Sequence, residues 1–224
     1  MRLMFDDTGQ SQPQAPSVRL LQPRLRRTIH PAGHYLHLRG DTQSGVYRIQ
    51  RGIVALEQIN EDGHRCILQL LGPGAWLGGE MLWQTAREFD ARACTRVEVE
   101  RCFTAKELGE PATRLVVAEA LAQQGQRIAR LKSALHQANA HQRVLHMLSE
   151  LHLLEERHGN TIWLPSRTEM ADYLDLNHAT VSRVIARLKR DGVIQMAGGQ
   201  SALVAWGRLQ TITSQGRAPF GCSI

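Results

Sequence analysis

Arg183 lies five residues past His178, in the run His-Ala-Thr-Val-Ser-Arg-Val-Ile-Ala-Arg-Leu-Lys-Arg at positions 178–190. If that run is helical, His178, Ala179, Ser182, Arg183, Arg187 and Lys189 share one face. The major groove of DNA admits a helix. An arginine near the start of that helix can donate in bidentate fashion to O6 and N7 of guanine. The chemistry these residue types support is therefore the reading of a base edge. The plain alternative is a solvated basic face, since paired amphipathic helices occur in many proteins that never touch DNA.

The elements that would position this face are legible around it. Ser166 and Glu169, three apart, make a capping box for a helix over about Arg167–Tyr173. Leu174-Asp175-Leu176-Asn177 is a turn, and Asn177 caps the second helix. Ala171, Leu174, Leu176, Val181, Ile185 and Leu188 fall where two crossing helices bury them. Val193–Met196 and Ser201–Trp206 read as strands joined by the turn Ala197-Gly198-Gly199-Gln200. A hairpin in this place is a wing, and its turn carries Gln200 toward the phosphate backbone.

Upstream the pattern changes. Glycines 33, 40, 45, 52, 63, 72, 74, 78 and 79 punctuate short strands such as 46–49, 53–57, 66–70 and 95–100, which predicts an antiparallel barrel or jelly roll. A long helix follows over about Thr113–Asn139. On it Val117, Leu121, Gln124, Ile128, Leu131 and Leu135 keep a spacing of three and four, the pattern of a dimer seam. The competing expectation is a helix packed on its own barrel. Gly125 beside the seam allows close helix approach. A further helix is expected over 141–157 and a short strand over 161–164. The predicted fold is α+β: an N-terminal antiparallel β-roll, a long dimerisation helix and a C-terminal winged helix-turn-helix. The expected divisions are a disordered segment 1–17, the roll 18–110, the dimerisation helix 111–139, the DNA-binding unit 140–212 and a frayed tail 213–224.

Composition narrows the function classes. A chain of 224 residues with 42% hydrophobic residues can build two cored domains. No apolar run approaches the roughly 18 residues of a membrane span, and the N-terminus lacks a signal-peptide pattern, so a cytoplasmic location is expected. The four cysteines, at 66, 94, 102 and 222, form no CxxC pair, which points to free thiols rather than a metal site. The net charge of +6 divides as +4 over residues 1–40, −3 over 41–100, +3 over 101–139 and +2 over 140–224. The C-terminal excess has the sign for phosphate contact but is small. No nucleophile–base spacing, phosphate loop or metal motif supports an enzyme.

The ordered set of pieces resembles the bacterial cyclic-AMP receptor protein and FNR family of transcription regulators over roughly residues 25–210. In the roll the likeness rests on Ala32-Gly33, Arg39-Gly40-Asp41, Tyr47, Gly52, Gly63, Leu71-Gly72-Pro73-Gly74 and Gly78. In the C-terminal part it rests on 164–171, Thr180-Val181-Ser182-Arg183 and Gly192-Val193-Ile194, with 167–174 most similar to the FNR and FixK branch. The resemblance implies that Arg183 contacts a guanine of each half-site and that Ser182 matches the recognition-helix serine. It also implies that Ser166, Arg167 and Thr180 hold phosphates; Asn177, His178, Ala179 and Gln200 complete the candidate DNA contacts. The family usually has a glutamate where this chain has Ala179. A methyl group cannot accept from a base amino group, so the half-site is expected to differ.

The resemblance also implies a sensor in the roll. The candidate effector pocket comprises Gly78, Gly79, Glu80, Arg87, Glu88 and Ile128. Glu88 follows Arg87 where a hydroxyl residue is expected, and two like charges near 4 Å cost about 1 kcal/mol in water and several times more when partly buried. Cyclic-AMP binding is not expected. An FNR-type iron–sulfur cluster needs cysteines near the N-terminus, and the first here is Cys66. Heme through His34 or His37, and thiol oxidation at Cys94, Cys102 or Cys222, remain open, as does regulation by abundance alone. No cofactor is expected. The leading expectation is a homodimer that reads palindromic double-stranded DNA and touches or blocks RNA polymerase, with an unidentified small-molecule effector possible. The alternative is a ligand- or partner-binding β-roll whose winged helix contacts protein.

Overall fold

The structure is a computed structural model that describes residues 26–42, 45–104, 106–136, 138–155 and 159–209. The expected segments 1–17 and 213–224, and Cys222, lie outside the described residues. Eight strands come first: β1 (Arg26–His30), β2 (Tyr35–His37), β3 (Val46–Arg51), β4 (Val54–Ile59), β5 (Arg65–Leu71), β6 (Trp76–Leu77), β7 (Asp90–Ala93) and β8 (Val97–Phe103). They form two four-stranded sheets, ordered β1-β8-β3-β6 and β2-β7-β4-β5, with every pairing antiparallel. Ile49, Val54, Leu71, Leu77, Ala91, Ala93, Val97 and Val99 fill the space between the sheets. Alternating apolar side chains on β3 and β8 supply this core, as a half-buried strand requires.

Helix α1 (Pro111–His136) leaves the roll and α2 (Ala140–Leu154) follows it. The end of the chain carries β9 (Thr161–Trp163), α3 (Arg167–Leu174), α4 (His178–Arg190), β10 (Ile194–Gly198) and β11 (Ser201–Val204). β11 pairs with both β9 and β10, making a three-stranded wing sheet. Trp206, expected in the last strand, instead begins a short helical turn. The fold is thus α+β: an antiparallel roll, a long helix, then a winged helix-turn-helix. Among the described residues no helix is long and apolar enough to cross a membrane.

Two findings bear on the expected organisation. First, one apolar core crosses the division between the roll and the C-terminal unit. Ile53, Ala55, Ile67, Leu70 and Cys94 of the roll share it with Leu148, Leu151, Met170, Ile185 and others. Second, most of the expected dimer seam faces inward. Val117 is enclosed with Val46, Leu82 and Leu108, and Leu121 packs on the same cluster. Gln124 accepts from the Trp76 amide at 3.0 Å and donates to its carbonyl at 3.3 Å. Leu135 is buried in the large core and Leu131 packs against it, while Ile128 is half-buried. The bulky side chains are drawn inward because α1 covers apolar surface of its own chain. The face one residue on, Leu115, Ala118, Ala122, Gly125 and Ala129, is exposed and keeps the same spacing of three and four.

Candidate nucleic-acid interface

The helix-turn-helix is built by its caps. The Ser166 hydroxyl accepts from the Glu169 amide at 3.2 Å, and the Glu169 carboxylate accepts from the Ser166 amide at 2.9 Å. This reciprocal box fixes the start of α3. Asp175 ends the helix at φ 52°, a left-handed conformation that aspartate tolerates better than most residues. Asn177 then caps α4, its side-chain oxygen accepting from the Ala179 amide at 2.8 Å. Val181, Ile185 and Leu188 point into the core, spaced by four and three. The opposite face is left to solvent.

On that face Arg183 is held rather than free. Its Nε donates to the Ala179 carbonyl at 3.3 Å and its Nη2 to the Thr180 hydroxyl at 3.2 Å. These bonds restrict a side chain that otherwise loses much rotamer freedom on binding. His178 and Ala179 are exposed beside it, and Ser182 and Thr180 are half-buried. Ser166 is exposed, whereas Arg167 is half-buried, lies 3.7 Å from the Met170 sulfur and has its pKa lowered by burial. Gln200 sits exposed in the wing turn, its side-chain oxygen accepting from the Trp163 indole at 3.4 Å. All nine candidate DNA-contact residues therefore lie on α3, α4, their caps or the wing.

Two features were not read from the sequence. Arg187 and His141, the latter in the first turn of α2, join Thr180, Arg183 and Val184 around an open cleft of about 310 Å³. Asn139 and Gln142 form a capping box that announces the start of α2, but the approach of α2 to α4 is a tertiary fact. The second feature is an ion network tying α3 to the roll. Arg92 on β7 donates from Nε to Glu57 at 3.0 and 3.1 Å and from Nη2 to Glu169 at 3.0 Å. Tyr35 donates to Glu57 at 2.9 Å, and Arg65 reaches Asp172 at 2.7 Å.

The effector-pocket residues assemble only in part. Gly78, Glu80 and Arg87 converge: Arg87 Nη1 lies 3.3 Å from Glu80, and Nη2 donates to the Gly45 carbonyl at 2.8 Å. Gly78 has φ +81°, and a Cβ there would lie 2.0 Å from Arg87 Nη1, so only glycine fits. A Cβ at Gly79 would lie 2.4 Å from the Leu121 side chain. Glu88 is exposed, and Ile128 lies nearly two helical turns beyond Leu121; neither joins the cluster. Arg87 and Leu121 thus lie directly against Gly78 and Gly79. Among the candidate sensor residues, burial pushes the Cys94 thiol up to about 12 and Cys102 up to about 11. Burial, then the nearby Arg87 charge, takes His37 down to about 4 against the pull of Asp41.

Comparisons with known proteins decide the family. Residues 27–106 match the model of the cyclic nucleotide-binding domain, and residues 142–212 match that of the Crp-like helix-turn-helix domain. The chain is 31% identical over 165 residues to the transcriptional regulator SdrP of Thermus thermophilus, covering 71% of this chain and 79% of that one. The chain belongs to the cyclic-AMP receptor protein and FNR family. Within it, the nitrogen fixation regulation protein FixK of Rhizobium meliloti is 31% identical over 197 residues, covering 84% and 89% of the two chains. A CRP-family transcriptional regulator from Thermus thermophilus shares the fold at a TM-score of 0.73 and 24% identity, over 84% of this chain and 96% of that one. FixK2 from Bradyrhizobium japonicum does so at 0.69 and 21%, over 84% and 96%. This is a family of transcription regulators, not enzymes.

Proposed function

We propose that the chain is a homodimeric regulator that reads a palindromic DNA site with α4. The observation that carries this is Arg183: exposed, near the start of a capped helix, and pre-positioned by Ala179 and Thr180. Ser166, Arg167, Thr180 and Gln200 contact phosphates; His178, Ala179 and Ser182 line the base edges. Ala179 offers a methyl group, which suits a thymine methyl rather than a base amino group.

The dimer forms through the exposed face Leu115, Ala118, Ala122, Gly125 and Ala129 of α1. Small residues at this spacing let two helices approach closely. A two-fold dimer sets its paired reading helices against half-sites about one DNA turn apart. The boundaries proposed are the roll to residue 110, the dimer helix 111–139 and the DNA-binding unit from 140, with RNA polymerase as the protein partner.

This regulator takes no cyclic nucleotide in its roll. Of the guanidinium that would hold its phosphate, Nη1 lies on Glu80 and Nη2 on the Gly45 carbonyl while the buried Nε has no hydrogen-bond partner among the described residues, and Leu121 sits on Gly79. The regulator accordingly binds DNA without a diffusible cyclic nucleotide. A salt titration of binding to duplex DNA tests the function: contact with several phosphates makes affinity fall steeply as salt rises. A shallow slope would favour the alternative, a winged helix that contacts protein.

A further inference from the structure

The cleft beside Arg183 is lined by two guanidinium groups, one imidazole, one hydroxyl and Val184, with no carboxylate among its walls. It opens at the junction of the first turn of α2 and the exposed face of α4. Such a lining suits one compact anion, and the positive end of the α2 dipole adds to it. We propose that His141 and Arg187 form a phosphate clamp beside the reading head, in which His141 takes up a proton as DNA binds. The clamp rests on the DNA-reading function proposed above and gives that function a pH dependence.

The charges around His141 set the direction. Burial and then Arg187 lower its pKa, while Asp191 raises it. Arg187 is itself 3.6 Å from Asp191, both side chains being solvated, so a phosphate can compete for it. Arg143, on the same helix as His141, is turned to the carbonyls of Ala138 and Leu174. Burial and Arg187 thus favour the neutral form of the unliganded imidazole. A phosphodiester between His141 and Arg187 supplies the negative charge that favours its protonated form. Binding then consumes a proton, and affinity rises as pH falls.

The experiment uses the full chain and the duplex that the wild type enriches from a random pool. Affinity is measured by fluorescence anisotropy at constant ionic strength between about pH 6 and pH 8, the range in which histidine titrates. The wild type should bind about threefold to tenfold more tightly at the lower pH, the effect of about a quarter to a half of a proton taken up per dimer on average across the range. His141→Gln should lose this dependence and match the wild type only at the higher pH. His141→Lys should bind tightly across the range. His178→Gln should keep the slope, whatever its affinity. A flat wild type, an unchanged slope in His141→Gln, or a slope lost in His178→Gln would each overturn the clamp. If the wild type enriches no duplex, the DNA-reading function fails and the clamp with it.

Discussion

Arg92 on the roll donates to Glu169 in the first turn of α3 at 3.0 Å, across 77 positions of sequence. The same Glu169 closes the capping box with Ser166. One carboxylate therefore both starts α3 and fixes it to the roll. Glu57 completes the charge balance from the other side of Arg92.

Arg92→Ala should be strongly destabilising. It leaves Glu57 and Glu169 as buried carboxylates without their cation, and breaking a buried pair by removing one partner costs about 3–5 kcal/mol. Chemical denaturation should show a lower midpoint. An unchanged midpoint would show that the network contributes no net stability.

Acid should act on the same junction. Burial alone would raise the pKa of Glu169, but the Ser166 amide and hydroxyl and then Arg92 outweigh it and hold it below its usual 4.5. A depressed folded pKa contributes stability that is complete above the unfolded value and lost as pH falls through the folded one. Docking of α3 on the roll should hold down to about pH 4.5 and weaken below it, seen as faster amide exchange in α3.

Glu150 behaves in the opposite sense. Burial pushes its pKa up to about 7, against the hydrogen bond from Tyr173 and the charges of Lys132 and Arg127. A carboxyl whose folded pKa is raised binds its proton more tightly in the folded state. Stability is then greatest below the unfolded value and declines as pH rises toward 7. Glu150→Gln should remove that decline and stabilise the protein at about pH 8 by up to about 3 kcal/mol, with little effect near pH 4. Melting curves at the two pH values check this.

The dimer face makes a sharp distinction. Ala122→Glu with Ala129→Glu places charge on the exposed small-residue face and should give a folded monomer by light scattering. Val117→Ala opens a cavity against Val46, Leu82 and Leu108. It should lower stability by roughly 1–3 kcal/mol while leaving the dimer intact. The reverse pattern would return the seam to the inward residues.

The helix-turn-helix was legible because its signals are local. Ser166 and Glu169 are three apart, Asn177 abuts its helix, and Val181, Ile185 and Leu188 repeat within one helix. The strands of the roll were legible from glycine spacing, with ends off by about one to three residues, the usual reach of boundary error. What the sequence hid is tertiary. Periodicity on α1 identifies an apolar stripe but not what covers it, so Val117 and Gln124 read as seam while packing on the roll. Arg87 has the residue type of a ligand contact, yet Glu80 and the Gly45 carbonyl take its Nη1 and Nη2. Arg92 and His141 gain their roles only from side chains that the fold brings beside them.

The most direct test of DNA reading is selection from random duplex DNA by purified wild type and Arg183→Ala, with no effector added. The wild type should enrich a two-fold-symmetric site with half-sites about one helical turn apart. Arg183→Ala should lose preference at one guanine position in each half-site, worth about 1–3 kcal/mol apiece. Enrichment of no site by the wild type, or of the same site equally by both proteins, would contradict the role given to α4.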